Sequence, residues 1–508
     1  MSSTGRSAVI PIVPVSGEPA ASAHGRSEAL APERDSAQGP VSEPQLVSLY
    51  EKTAKIYPRA VSGLFARWRW GLVWLTQLVF YGAPWLQWNA RQAVLFDLAS
   101  RRFYIGGLVL YPQDFIYLTA LLVLSALGLF LFTAVAGRLW CGYACPQTVY
   151  TEMFLWVERH IEGDRIARMR LDAAPFGVRK LWRKAAKHGT WGAIGLWTGI
   201  TFVGYFTPIR ELVPAIASFG LGPWESFWVL FYGFATYGNA GFMREQVCKY
   251  MCPYARFQSA MFDRDTLIIG YDAQRGEPRG SRSRKVDPRA VGLGDCIDCT
   301  LCVQVCPTGI DIRNGLQYEC IGCAACIDVC DEVMDKVGYP RGLIRYGTEN
   351  GIERGLNPRE MLARMWRPRV LIYGAILAAV GAVFVVSLAL REPFKVDVVR
   401  DRGSLARIVG DGQVENVYRL QIMNATERAQ RYAVAVEGLP GIAVVDNVAA
   451  DIGPAQARWV PVRVQLPYAA AAPLAGKSST IHFRIERLAD TEYPARAVLE
   501  KSTFIVPR

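Results

Sequence analysis

Histidine is scarce in this chain: its 508 residues hold four, His24, His160, His188 and His482. None lies mid-way along an apolar run, which removes the paired histidines that a membrane b-type haem needs. Each is expected in a solvated or hydrogen-bonded role. No cysteine follows Cys330, so the region from Arg391 onward can hold no disulfide. Residues 1–45 have few aromatics and are rich in Ala, Ser, Pro and Gly, which predicts a disordered tail. They lack the compact apolar core and cleavage pattern of a signal peptide.

Charge is missing where apolar residues are dense. Five runs suit a membrane span, which needs roughly 20 such residues: about 70–88, 115–136, 191–209, 224–242 and 370–390. The second, third and fifth contain no Asp, Glu, Lys or Arg. Pro84 predicts a kink in the first. Trp68, Trp70, Trp85 and Trp88 stand at its ends, where indoles favour the membrane interface. Half the chain is hydrophobic (51%), yet the net charge is +12. That pairing fits a membrane protein with basic extramembrane parts, and nucleic acid is not an expected partner. Ten Lys or Arg lie in 138–190, three between the first two runs, and only Arg210 between the third and fourth. The positive-inside rule then puts the N-terminus, 138–190 and 243–369 in the cytoplasm, and the region from Arg391 outside. All twelve cysteines fall on the reducing side or at its membrane edge, where thiols remain available as metal ligands.

Residues 296–306 read Cys-Ile-Asp-Cys-Thr-Leu-Cys-Val-Gln-Val-Cys, followed by Pro307. Cys320, Cys323, Cys326 and Cys330 repeat the spacing. Three soft thiolates from one tight loop wrap a cubane, and the fourth cysteine crosses to the other cluster. The expected sets are Cys296, Cys299, Cys302 and Cys330 for one [4Fe–4S] cluster, and Cys306, Cys320, Cys323 and Cys326 for the second. Structural zinc takes two separated pairs instead. Asp331 stands where the second run would carry proline. Such a segment passes single electrons.

Two further pairs share the pattern C-x3-C-P: Cys141 and Cys145 before Pro146, Cys248 and Cys252 before Pro253. Each ends an even-numbered span, which suggests an internal duplication. If the helix persists, a spacing of four puts both thiols on one face with Cβ atoms about 5–6 Å apart. A disulfide wants roughly 3.8 Å. Four thiolates from two helix ends then suit a shared soft metal: Cu(I), zinc or an iron–sulfur cluster. A redox dithiol and plain buried thiols stay open beside this. Met251, inside the second pair, is expected to pack.

Residues 395–508 alternate polar and apolar positions over Val417–Ile422, Trp459–Val464 and Ile481–Ile485. Period two predicts antiparallel strands with one buried face, arranged as an immunoglobulin-like sandwich. Pro461 predicts an edge strand. Asn424-Ala425-Thr426 reads as a turn.

The runs GRLWCGYACPQT (137–148), REQVCKYMCPYARFQ (244–258) and RGEPRG (275–280) resemble the FixG/CcoG family, as does the order of segments over about 45–508. The resemblance implies a role in assembling the cbb-type haem–copper oxidase, as a cupric reductase converting Cu(II) to Cu(I). It implies that Cys141, Cys145, Cys248 and Cys252 carry the copper chemistry and that the two clusters supply electrons. It also implies partners: a cytoplasmic electron donor, and a copper exporter or oxidase subunits. A quinol-linked electron-transfer subunit and a non-catalytic assembly factor remain alternatives. The expected organisation is a tail (1–45), a four-span helical region (46–262), a ferredoxin-like insert (263–369), a fifth span (370–390) and a periplasmic all-β sandwich (391–508). The protein is expected in the bacterial inner membrane.

Overall fold

Apolar runs without interruption fold as helices. The computed structural model describes residues 55–282, 292–401, 403, 406–410, 412–446, 448–489 and 494–508; the expected tail lies outside the described residues. The main helices are α1 (Leu64–Gly82), α2 (Phe115–Ala136), α3 (Leu139–Tyr143), α4 (Pro146–Ile161), α5 (Arg165–Ala173), α6 (Val178–Val203), α7 (Ile209–Ala217), α8 (Pro223–Gly238), α9 (Pro253–Met261), α10 (Ala325–Val337) and α11 (Pro368–Ala389).

Among the described residues two helices are long and apolar enough to cross a membrane, Pro112–Ala136 and Pro368–Ala389. They pack antiparallel: Tyr117 Oη donates to the Ser387 carbonyl at 3.1 Å, and Arg367 donates to the Ala134 carbonyl at 2.6 Å. The expected kink at Pro84 does not form. Helix α1 ends at Gly82, and Pro84 sits in the short 3-10 turn Ala83–Trp85 that follows. A proline at the first positions of a new turn has no N–H to lose there. Helix α6 starts well before the apolar run, at Val178, because its basic first turns pair with carboxylates: Lys184 with Asp172 (2.5 Å) and Glu162 (2.9 Å).

The C-terminal region is an all-β sandwich. One sheet runs β10 (Ala443–Val444), β12 (Ala457–Leu466), β8 (Gln413–Asn424), β6 (Phe394–Arg400), with β7 (Arg407–Val409) also on β8. The other runs β11 (Ala449–Ile452), β9 (Gln430–Glu437), β13 (Ser478–Arg487), β14 (Arg496–Ile505). All pairings are antiparallel. The inward positions, among them Tyr418, Leu420, Ile422, Val462, Val464 and Phe483, make one core. Pro461 pairs with Arg419 on one side; on the other, β10 reaches only Val464 and Gln465. The missing N–H thus faces a locally free edge. Asn424 is fully buried and closes its turn, accepting from the Thr426 N–H and hydroxyl at 3.0 and 2.7 Å.

The sandwich and the ferredoxin-like region lie at opposite ends of the α2–α11 pair. At one end Arg391 meets the buried Asp114 at 2.8 Å. A small sheet of β1 (Val94–Asp97), β2 (Arg102–Ile105) and β3 (Leu108–Leu110) shares a core there with Met423 and Ala455. At the other end Leu267 N–H donates to the Val135 carbonyl, just before the strand pair β4 (Ile268–Tyr271) and β5 (Ile344–Gly347).

Candidate metal centres

The cysteines of 296–330 line two cavities. One is walled by Cys296, Cys299, Cys302 and Cys330, with Tyr271, Arg313 and Met334. The other is walled by Cys306, Cys320, Cys323 and Cys326, with Cys302 at its margin and Ile269, Ile310 and Ile321 around it. The crossing of the fourth ligand has a local cause. Cys330 lies on α10, and Cys306 lies just past the short helix Leu301–Gln304 that follows the first loop. Left-handed residues at the helix starts, Thr300 (φ 56°) and Ala324 (φ 58°), turn the loop back over its own thiols. Asp331, in place of the second proline, accepts from the Gly342 N–H at 2.9 Å and fixes the exit of α10.

Burial pushes these thiols up: Cys302 to about 11, Cys320 and Cys330 to about 12. An uncompensated thiolate is therefore costly in either cavity, and a soft cation that replaces the proton removes that cost. The donor set, all sulfur and grouped four and four, fits [4Fe–4S] clusters. Among the described residues no three His, Cys, Asp or Glu side chains stand at the spacing of a single bound ion, and none of the twelve cysteines is in a disulfide.

The C-x3-C-P pairs form a third group. The helix does not persist through either pair, so the condition for two thiols on one helix face is not met. Helix α3 stops at Tyr143, and Cys145 is extended (φ −62°, ψ 129°) before Pro146 opens α4. Cys248 lies in a π-helical turn, Val247–Met251, and Cys252 is extended (φ −81°, ψ 108°) before Pro253 opens α9. Proline disfavours the helical conformation of the residue before it, which ends both turns. The pairs converge nonetheless. Burial pushes Cys141 up to about 11, with Cys145 and Cys252 adding to it, and Cys248 up to about 12, with Cys145, Cys141 and Cys252 adding to it. Cys141 Sγ also lies 3.3 Å from Gln258 Oε1, a side chain with no exposure. Met251 is exposed instead of packed.

This third group adjoins the second cluster cavity. Cys141 and Cys248 pack against the core of Cys323, Ile321 and Val329. One small cavity is lined by both Cys248 and Cys323. Buried Arg138 ties the parts together: it donates to the carbonyls of Ala255 (2.6 Å), Cys320 (3.4 Å) and Tyr318. Its charge faces Cys141, Cys248 and Cys320. Arg69 of α1 is buried beside Cys323 and holds that thiol lower than burial alone would. Asp328 of α10 accepts from the N–H groups of Phe65 (3.1 Å) and Ala66 (2.7 Å), capping α1 from 262 residues away.

Arg69, Arg138, Gly142, Gln258 and Asp328 escape the sequence reading. Arg138, Gly142 and Gln258 sit inside the quoted motifs, which is a signal of a kind. The others carry no local pattern. His160 Nδ1 bonds the Trp156 carbonyl one turn back (2.8 Å), and His188 Nδ1 bonds Tyr237 Oη of α8 (2.9 Å).

Comparison with known proteins returns the same segments. Family models match residues 118–162 (a 4Fe-4S binding domain), 243–349 (a 4Fe-4S dicluster domain) and 384–507 (the IG-like fold at the C-terminal of FixG). The first two take in all twelve cysteines. The chain is 39% identical over 423 residues to the nitrogen fixation protein FixG of Rhizobium meliloti, covering 77% of this chain and 81% of that one. It is 40% and 43% identical to proteins RdxA and RdxB of Cereibacter sphaeroides, covering 79% and 77% of this chain and 85% and 84% of theirs.

Proposed function

The chain belongs to the FixG family, and from that premise we propose that it is a membrane iron–sulfur oxidoreductase that reduces Cu(II) to Cu(I) at Cys141, Cys145, Cys248 and Cys252. The observation that carries this reading is the contact of Cys141 and Cys248 with the Cys323 side of the second cluster cavity.

In this reading Cys296, Cys299, Cys302 and Cys330 hold one [4Fe–4S] cluster, and Cys306, Cys320, Cys323 and Cys326 the other. Bound clusters supply single electrons, the unit that Cu(II) requires. The protein's own residues do the rest. The four membrane-edge thiols bind copper, and thiolate favours the softer Cu(I). Arg138 offsets the negative charge that gathers as thiols lose protons. The cytoplasmic electron donor reaches the first cavity, on the side of Arg313. Because thiolate holds Cu(I) tightly, a copper exporter or an oxidase subunit takes it away, and the sandwich is placed to meet such a partner.

Five crossings suit the helices α1, α2, α6, α8 and α11. The sixteen residues of α8 are extended by the π-helical turn Asn239–Met243. The basic segment 138–190 and the ferredoxin-like region lie on the cytoplasmic side, the sandwich in the periplasm; the separation of those parts along α2 and α11 supports this.

A second reading has its own support. The 4Fe-4S binding model over 118–162 covers Cys141 and Cys145, so the membrane-edge thiols suit a third cluster as donors. Iron analysis of anaerobically purified protein separates the two: about eight irons per chain for two clusters, about twelve for three. Reduction of Cu(II) by the chemically reduced protein, read as Cu(I) bound by a chromogenic chelator, tests the first directly. Absence of Cu(I) sinks it.

A further inference from the structure

Helices α1, α4 and α6 border an open cavity of about 480 Å³. That size is typical of small-molecule sites, roughly 300–1,000 Å³. Three indoles, Trp70, Trp74 and Trp156, wall it with Ile194, and no charged side chain lines it. It has one polar end. There Tyr81 Oη lies 3.0 Å from Thr198 Oγ1 and 3.5 Å from Tyr150 Oη. Gln77 is buried at the same end. Gln77 Oε1 has no hydrogen-bond partner among the described residues. A buried acceptor without a donor costs free energy until one reaches it.

Those walls set the chemistry of an occupant. It is uncharged, since nothing in the cavity neutralises charge. It offers flat faces to the indoles and a hydrogen-bond donor to Gln77. It arrives from the lipid side, where Trp74 and Leu78 are exposed on α1. An acyl chain has neither ring nor donor.

The buried stripe of α1 gives the cavity its context. Ala66, Arg69, Val73 and Gln77 share one face. Ala66 bonds Asp328 of the cluster helix, and Arg69 stands beside Cys323. Gln77 is eight residues beyond Arg69, about 12 Å along the helix. We propose that the cavity between α1, α4 and α6 binds the ring of a membrane quinol, with Gln77 Oε1 accepting from its hydroxyl. This rests on the reading that α1 lies in the bilayer.

The test uses the full chain in quinone-free phosphatidylcholine nanodiscs. Decylubiquinol is titrated anaerobically against tryptophan fluorescence, and an azido-substituted benzoquinone is photo-crosslinked and its adducts mapped. The expected result is saturable quenching, with adducts confined to 64–82, 146–161 and 178–203. Gln77→Met weakens binding by ten-fold or more, and Val73→Trp, which fills the cavity, abolishes it; Trp224→Phe on α8 leaves it unchanged. Non-saturable quenching, adducts elsewhere, or unaltered affinity in Gln77→Met overturns the proposal. The crosslink map on the unaltered protein needs no variant to fold. Cu(I) production from dithionite-reduced protein that binds no quinol would sink this inference and leave the copper reading standing.

Discussion

Gly142 lies backbone to backbone against Gly322. A Cβ at Gly142 would stand 2.8 Å from the Gly322 carbonyl oxygen and 2.9 Å from Cys323 Cα. The first C-x3-C loop therefore reaches the second cluster loop only because position 142 has no side chain. Gly322 itself is left-handed (φ 70°), with Arg138 backbone 3.1 Å from where its Cβ would be. Gly142→Ala is expected to push the loops apart. Overpacking of this kind costs about 1–3 kcal/mol. Cu(II) reduction by the reduced protein should fall at least as steeply as thermal stability, while both cluster signals in paramagnetic resonance persist. A variant with full Cu(I) yield contradicts the role given to this contact.

Arg69 places a cation beside Cys323. A positive charge near a cluster favours its reduced form. Arg69→Met should lower the reduction potential of one cluster by on the order of 60 mV, the one-electron equivalent of a ten-fold change. Arg69→Lys should retain most of the potential. A redox titration that finds both potentials unmoved in Arg69→Met removes Arg69 from the tuning of the site.

Much of this arrangement is legible in the sequence, and the reason is locality. The cysteine spacing of 296–330 encodes ligand sets because each loop is short. The alternation of Val417 to Ile422 encodes a strand for the same reason. Pro84, Pro146 and Pro253 show where local reading slips. Pro146 and Pro253 hold Cys145 and Cys252 extended, whereas Ala83 before Pro84 stays helical and the helix ends there instead of kinking. Gly142, Arg69 and Asp328 act across 180 to 262 residues of chain, and nothing in their neighbours marks it. Cys248 joins Cys141 through chain reversal, which spacing cannot express.

Asp328 caps α1 from the cluster helix, so the first helix and the ferredoxin-like region should unfold together. Asp328→Ala removes acceptors from two N–H groups and is expected to cost about 0.5–2 kcal/mol, the range for lost helix caps. Calorimetry should show a lowered midpoint with cluster loss in the same step. Separate steps would contradict the coupling.

Glu415 links stability to pH in the sandwich. Burial pushes its carboxyl up, but hydrogen bonds from Gln465 (2.7 Å) and Arg407 (2.8 Å) outweigh it and hold the group below its ordinary value. Its contribution is therefore complete above the unfolded value, about 4.3, and is lost as pH falls through the folded one. Between pH about 5 and 3 the unaltered protein should lose more stability than Glu415→Gln in thermal unfolding. Parallel curves would show that the pair contributes nothing.

The most direct measurement is the Cu(I) yield of anaerobic, fully reduced protein, compared with a variant in which Cys141, Cys145, Cys248 and Cys252 are all serine. The account predicts stoichiometric Cu(I) from the unaltered chain, none from the variant, and intact signals from the clusters of 296–330 in both. Equal Cu(I) from the two proteins would contradict it.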